Sequence, residues 1–357
     1  MIRRLLGSPV LEALAAPHGV DRYLELVNPR WSLREVRAEV VAVRPGAADS
    51  VTLTLRPNGN WRGFLAGQYA RFGVEIDGVR RTRCFSIASS QHRADRIEIT
   101  VKAAGSVSRH LRDHAAPGLV LAMSQAEGEF VLPTERPGRL LLISGGSGIT
   151  PVLSLLRTLC DEGHADPITV LHYAATERDV IHGDELTRLA ARHRNVRLVR
   201  AYTAAGHVGD LAGHFGAEHL TAADPSHHDA STYLCGPAPL MDAVRGHYAA
   251  AGLDHRLRHE LFTLARFAPA ADDATGEVRF TESGRAVPND GATLLEQAER
   301  AGLTPEHGCR MGVCLSCSRR VEAGAVRDLR TGAVTTVDDS AVQLCVSVPV
   351  GDVAVAM

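Results

Sequence analysis

The sequence predicts a multidomain chain: an antiparallel β-barrel, then an open α/β domain on a parallel sheet, then a small α+β domain with a cysteine loop. Three observations predict it. Val51, Leu53 and Leu55 alternate with Thr52, Thr54 and Arg56, the period of a half-buried strand. Leu140 to Ser144 is a near-continuous apolar run, as a buried parallel strand requires, and Gly145-Gly-Ser-Gly148-Ile-Thr-Pro151 follows it. Cys309, Cys314, Cys317 and Cys345 mark the last domain.

In chain order, residues 1–34 read as an extension that is helical in parts. Leu11, Leu14 and Ala15 share one face, and Tyr23, Leu24 and Leu26 follow. Packing on the first domain is the plain reading; docking of a partner is the sharper one. Residues 35–133 form the barrel, with strands at Tyr69–Ile76 and Ile97–Lys102 and a short helix near Val107–His114. Pro45-Gly46, Pro57-Asn-Gly59 and Asp77-Gly78 supply turns. Residues 134–262 alternate strand and helix. Strands fall at Ile168–Tyr173, Val196–Ala201 and Thr232–Cys235, and helices at Gly183–His193 and Pro239–Ala250. Thr150 reads as the N-cap of a further helix and Pro151 as its first residue. Residues 263–275, polar and alanine-rich, read as a linker. Residues 276–357 start with Val278 and Phe280, turn at Ser283-Gly284, and place a helix over Thr293–Ala301 just before the cysteine loop.

Composition excludes several classes. The apolar fraction of 45% is ordinary for a globular chain, and the net charge of −2 selects no charged partner. No basic patch interleaves with aromatics, which argues against nucleic acid. Seven cysteines leave Cys84, Cys160 and Cys235 after the last domain is served, an odd remainder that points to a reducing compartment. Met-Ile-Arg-Arg-Leu-Leu starts like a secretion signal, but Pro9, Glu12 and Pro17 interrupt the apolar run. No run approaches the roughly 20 apolar residues of a membrane span. The expectation is a cytoplasmic protein with no membrane insertion of its own.

The chemistry is carried by four stretches. C-x4-C-x2-C with a fourth cysteine after 27 intervening residues is the plant-type pattern for a [2Fe–2S] cluster. Gly308 and Gly312 let the loop bend sharply. A structural zinc site, the alternative, usually pairs two short knuckles. The glycine loop at 145–148 lies between a buried strand and a helix start, where free N–H groups and the dipole suit a pyrophosphate. It is not a full G-x-G-x-x-G, so a plain tight turn stays open. Cys235-Gly236-Pro237 ends a strand where an open sheet places its ligands, although a packed small residue would look the same. In Arg83-Cys84-Phe85-Ser86, Arg83 suits a phosphate, and Phe85 shares its strand face and could lie along a ring system. A surface strand would explain that tetrapeptide equally well.

Taken together with Gly105-Ser106-Val107-Ser108 and Glu260-Leu-Phe262, these stretches occur in the order and spacing of the ferredoxin–NADP reductase superfamily. With the cysteine domain added, the chain resembles bacterial flavin reductases fused to a plant-type ferredoxin, over roughly 35–357. It is most similar to the branch serving acyl-CoA or acyl-lipid desaturases and hydroxylases, and Tyr23-Leu-Glu-Leu-Val-Asn-Pro-Arg-Trp31 shares that likeness. Phenylacetyl-CoA epoxidase reductases and Rieske dioxygenase reductases have the same domain order. The resemblance implies a flavin barrel, a nicotinamide-nucleotide domain and a β-grasp ferredoxin domain. It implies that Arg83 and Cys84 lie at the flavin phosphate strand, that Phe85 packs along the flavin, and that Ser86 sits near N5. Val101 and Lys102 lead into Gly105–Ser108, which would cradle the pyrophosphate. Gly146, Gly148, Thr150 and Pro151 would contact the nicotinamide nucleotide. Cys235, Gly236 and Pro237 would border the nicotinamide ring, and Glu260 the hydride-transfer site. Thr176 and Arg178 would meet a 2′-phosphate. Cys309, Cys314, Cys317 and Cys345 would ligate the cluster. Two departures stand out: Phe85 replaces the family's usual tyrosine, and Ala104 stands where a second glycine is common.

The function so implied is electron transfer. NAD(P)H gives a two-electron hydride to the flavin, FAD in preference to FMN, and the cluster passes single electrons to a protein acceptor. NADPH is favoured over NADH through Arg178. The acceptor expected is an oxygen-activating iron enzyme, a desaturase or hydroxylase, with membrane-bound enzymes among the candidates. Reductases of Rieske dioxygenases, cytochromes P450 or other monooxygenases are the alternative. A redox sensor without turnover and a stand-alone diaphorase are further readings, and Ser86, Cys235 and Glu260 argue against the sensor.

Overall fold

The computed structural model describes residues 15–16, 19–76, 78–93, 95–207, 209–261, 274–308, 312 and 315–357, without the side chains of Val79 and Arg80. Leu11, Leu14, Cys309 and Cys314 lie outside these residues, as does most of the 263–275 stretch. The chain divides into two units, Met1–Leu261 and Phe262–Met357.

The first unit opens with helix α1 (Gly19–Val27). The apolar face expected there is only partly used: Val20 is buried, but Tyr23 and Leu26 are 49% and 72% exposed. Polar contacts hold the segment instead. Asp21 accepts from Leu33 N and Ser32 Oγ, and Glu25 pairs with Arg37.

The barrel comprises β1 (Val36–Pro45), β2 (Ser50–Pro57), β3 (Tyr69–Ile76), β4 (Val79–Ser86), β5 (Ile97–Lys102), helix α2 (Ser106–His114) and β6 (Val120–Met123). The order β4-β3-β6-β1-β2-β5 is antiparallel throughout. An Ile87–Ile99 bridge joins the two ends and nearly closes the barrel. Alternation drives it: Val51, Leu53, Leu55, Ile97, Ile99 and Val101 point inward with Phe72 and Leu111. Leu111 and Val107 bring α2 into the same core.

The parallel sheet comprises β7 (Leu140–Gly145), α3 (Ile149–Asp161), β8 (Ile168–Ala174), α4 (Gly183–Arg192), β9 (Val196–Tyr202), β10 (Leu211–Ala212), α5 (Ala217–Ala223), β11 (Ser231–Gly236), α6 (Ala238–Ala250) and β12 (Leu257–Leu261). Its order is β10-β9-β8-β7-β11-β12. One face buries Leu141, Ile143, Leu171, Val199 and Leu234 against α5 and α6. The expected cap of α3 is corrected. Thr150 is inside the helix, and Gly148 is the N-cap, because a 3₁₀ turn at Gly146–Gly148 runs straight into it. Thr150 Oγ1 instead donates to Ser147 O at 3.0 Å, bracing the turn.

The second unit is an α+β, β-grasp arrangement: β13 (Glu277–Phe280), β14 (Arg285–Pro288), α7 (Leu294–Arg300), β15 (Ser318–Asp328), β16 (Val334–Gln343) and β17 (Ser347–Val355), in the order β14-β13-β17-β15-β16. Thr293 caps α7 with a hydrogen bond from Glu296 N. Leu294, Leu295 and Ala298 pack on Phe280, Val321 and Val353.

Candidate active site

The parallel register lines up one row of side chains near the ligand-binding edge of the sheet. Cys235 pairs with Glu260 on one side and Ser144 on the other; Ser144 pairs with His172, and His172 with Arg200. Register partners in parallel strands present side chains to the same face. Glu260, Cys235, Ser144, His172 and Arg200 therefore form one polar row across five strands. Cys235, Ser144 and His172 are wholly inaccessible.

Burial sets the charge states along it. The Glu260 carboxyl is pushed up to about 8, so it is protonated at neutral pH. Burial, then the nearby Glu260, pushes the Cys235 thiol well above its ordinary value. Burial, then Arg200, pushes His172 down to about 4. A neutral His172 meets Ser144 Oγ through Nδ1 at 2.8 Å. At the far end, Arg200 lines a cavity of about 670 Å³ between the Arg44–Ser50 turn and the start of α4. Ser86, Cys235 and Glu260 do not line that cavity.

The barrel brings Ser86 at the end of β4, paired with Tyr69 on β3. A methyl group on Gly128 would sit 3.1 Å from the Tyr69 ring and 3.7 Å from Glu260 Oε1, so Tyr69, Gly128 and Glu260 converge. Gly128 has φ +110°, which a side chain would strain. Gly148 is tighter still: a Cβ there would lie 2.1 Å from Cys235 O. Only glycine lets the nucleotide loop approach β11 so closely. Gly148→Ala is expected to destabilise the protein by about 2–3 kcal/mol, read by urea unfolding, and to raise the nucleotide KM.

Whether a flavin and a nicotinamide fit is tested by two atoms. Among the described residues, Ser86 Oγ and Glu260 Oε2 are buried without a hydrogen-bond partner. Such atoms are costly unless a ligand satisfies them. With glycines at the close approaches and a helix start beside them, the residues fit these groups.

Arg83, Cys84 and Phe85 lie on β4, and Phe85 packs beside Phe72, ring centroids 6.0 Å apart. Val101 is fully buried in the barrel core, so only its backbone can face a ligand, whereas Lys102 is exposed. Gly105 caps α2. Ser108 Oγ is committed to that turn, accepting from Ala104 N and Gly105 N. The loop therefore offers Ser106 and backbone N–H groups. Gly146 and Ser147 are half-buried, while Thr150 and Pro151 are buried behind them. Gly236 and Pro237 follow Cys235, with Pro237 capping α6. Thr176 gives both its N–H and hydroxyl to Asp179 Oδ2. Arg178 is exposed, with no ion-pair partner among the described residues. Ser144, Ser147, His172, Tyr69 and Gly128 were missed from sequence. Ser144 and His172 could have been flagged as polar residues inside otherwise apolar strands; Tyr69 and Gly128 carry no local signal.

In the second unit, Cys317 and Cys345 are buried at the edge of the core. Gly312 N–H donates to Cys345 Sγ at 3.3 Å, the contact that stabilises a ligating thiolate. Gly312 has φ +72°, and Arg330 Nη1 holds its carbonyl at 2.8 Å. These two cysteines and their donor fit an iron–sulfur cluster.

Family models agree with this division. An oxidoreductase FAD-binding domain matches residues 47–132, an oxidoreductase NAD-binding domain 142–246, and a 2Fe-2S iron-sulfur cluster binding domain 279–350. An NADPH oxidoreductase of Mycobacterium tuberculosis is 38% identical over 340 residues, covering 93% of this chain and 87% of that protein. The ferredoxin reductase component of 3-ketosteroid-9-alpha-monooxygenase, from the same species, is 31% identical over 311 residues, 82% of each chain. The structure of phthalate dioxygenase reductase superposes with a TM-score of 0.58 at 23% identity, covering 90% of this chain and 97% of that one. The protein is thus an oxidoreductase with FAD-binding, NAD-binding and 2Fe-2S domains, and it belongs to the ferredoxin–NADP reductase superfamily, in the branch that carries a plant-type ferredoxin domain on the same chain.

Proposed function

We propose that the protein is the reductase component of an oxygen-activating system, passing electrons from NADPH through FAD and the [2Fe–2S] cluster to an iron enzyme. What supports this reading is the register pairing of Cys235 with Glu260, the two orphaned buried oxygens Ser86 Oγ and Glu260 Oε2, and a 2Fe-2S domain on the same chain. When bound, the flavin accepts a hydride from the nicotinamide and releases electrons singly, and the cluster carries them one at a time. The chain's own residues bind and orient. Arg83, with the β4 backbone, holds flavin phosphate; the α2 start, Gly105 to Val107, takes the pyrophosphate, which favours FAD over FMN. Gly146 to Gly148 and Gly236-Pro237 take the nucleotide. Ser86, Cys235 and Glu260 border the reacting atoms. Cys309, Cys314, Cys317 and Cys345 hold the cluster.

The acceptor we favour is a fatty-acyl desaturase or hydroxylase, membrane-bound ones included. A Rieske dioxygenase, cytochrome P450 or other monooxygenase is the alternative, supported by the relative that serves a monooxygenase. Among the described residues no helix is long and apolar enough to cross a membrane, and we place the protein in the cytoplasm. Anaerobic titration with NADPH should reduce flavin and cluster, and a purified desaturase should reoxidise them. Reoxidation by a monooxygenase but not by the desaturase would reassign the acceptor.

Arg178 is the residue on which nucleotide choice rests. Removing one charge-assisted contact is worth about 1.5–3 kcal/mol. Arg178→Ala should therefore raise the KM for NADPH about tenfold or more and leave that for NADH unchanged. Equal changes for both would remove Arg178 from the 2′-phosphate site.

A further inference from the structure

Helix α3 carries a polar stripe that grips the barrel immediately beyond Ser86. Ser154, Arg157 and Thr158, spaced i, i+3, i+4, lie on one helix face. Ser154 Oγ donates to Ser89 O at 2.6 Å and accepts from Gly67 N at 3.3 Å. Thr158 Oγ1 accepts from Gln91 N at 3.1 Å. Arg157 Nη1 donates to Ala88 O and Glu98 Oε2, both at 2.8 Å. Its Nε and Nη2 form a two-pronged pair with Glu185 on α4, both bonds 2.7 Å. One half-buried guanidinium thus ties α3, α4, β5 and the strand exit at Ala88. Burial alone would raise the Glu185 carboxyl, yet the His182 ring 3.6 Å away and the two hydrogen bonds from Arg157 leave it well below the usual range, so the pair is ionised at working pH.

The placement gives the clamp its consequence. Helix α3 starts at Ile149, directly on the glycine loop, and Arg157 lies eight residues on, about 12 Å along the axis. Ala88 lies two residues beyond Ser86. The rigid helix spans the interval between the nucleotide loop and the strand that ends at Ser86. Gly67 leaves no slack there: a Cβ on it would sit 1.9 Å from Phe130 O and 3.2 Å from the Leu155 side chain of α3.

We propose that Arg157 is a positioning residue, and that α3 is the strut setting the separation between the nicotinamide loop and the flavin strand. The inference rests on the reductase reading of the same site. Misplacement of reacting groups by about 1 Å can cost up to about a hundredfold in rate. Two connections, from Ser154 and Thr158, survive loss of Arg157, so a smaller loss is expected.

The test uses the full-length, flavin- and cluster-loaded protein with Arg157→Ala, Arg157→Lys and Thr158→Val. Three readouts are needed: the stopped-flow rate of flavin reduction by NADPH, the KM for NADPH, and amide hydrogen exchange at Gly67 and Gln91. In R157A the reduction rate should fall about tenfold, with KM changed less than threefold and exchange at both amides faster. R157K should recover part of the rate, and T158V should speed exchange at Gln91 with a smaller rate loss. Unchanged exchange in R157A would overturn the clamp. Faster exchange with an unchanged rate would overturn the positioning role. If R157A does not fold, R157K and T158V decide: a slower reduction at constant KM supports the strut, and an unmoved rate overturns it. A parent protein that binds no flavin would instead sink the reductase reading, which separates the two failures.

Discussion

Replacing Glu260 by alanine is expected to slow flavin reduction by NADPH about a hundredfold, the low end of what a positioned acid or base contributes. The expectation follows from its place on β12, in register with Cys235, and from its unpartnered buried oxygen. Burial holds the carboxyl protonated up to about pH 8. The rate should therefore decline above about pH 8, as a charge appears in a site with no cation against it among the described residues. Glu260→Gln mimics the neutral acid in shape and cannot ionise, so its smaller rate loss should come with a flat alkaline limb. Stability gives an independent check. With its folded value raised, the group binds more protons folded than unfolded between its ordinary range and about pH 8. Stability should then fall as pH rises through that window, by at most about 1.4 kcal/mol per pH unit. Urea unfolding of flavin-free protein should show this slope and E260Q should remove it. A wild-type rate flat from pH 6 to 10 would exclude the role.

The second large effect is at the other end of the chain. Cys345→Ser should abolish the [2Fe–2S] absorption and electron paramagnetic resonance signals, and with them reduction of one-electron protein acceptors such as cytochrome c. Flavin reduction by NADPH, and ferricyanide reduction from it, should persist, because the first unit has its own core and binding residues. Cys345 is buried beside Leu344 and Val346, so the serine variant should also unfold the second unit at lower urea. Binding energy at a structural metal site is folding energy. A C345S protein that keeps its cluster spectrum would remove Cys345 from the ligand set.

Much of this architecture was legible before any coordinates. Alternation in β2 and β5 identified the barrel walls, since a period of two has one burial solution. The run at Leu140–Ser144 read as a buried strand, and the glycines after it as a ligand edge or a plain tight turn. The helix start at α3 was misread because Thr150 and Pro151 carry good capping chemistry. That preference is local, and the 3₁₀ turn of Gly146–Gly148 took the cap position by continuing directly into the helix. The packed face expected at Tyr23 and Leu26 failed for a similar reason: Asp21 found partners in Ser32 and Leu33 ahead of β1, Glu25 found Arg37 on β1, and Tyr23 and Leu26 were left outward.

Residue spacing alone predicted the strand and helix rhythm of the three domains and read C-x4-C-x2-C with Cys345 as a cluster pattern, whereas the stretches around Ser86, Cys235 and Glu260 took their expected roles from the resemblance to the reductase superfamily, each being ambiguous by itself. Only the folded chain decided that Glu260, Cys235, Ser144 and His172 share one row, that Glu260 stays protonated, and that Arg157 latches the barrel. Those properties depend on strand register and on the exclusion of water, which arise between segments separated by tens of residues and leave no local trace in any one of them.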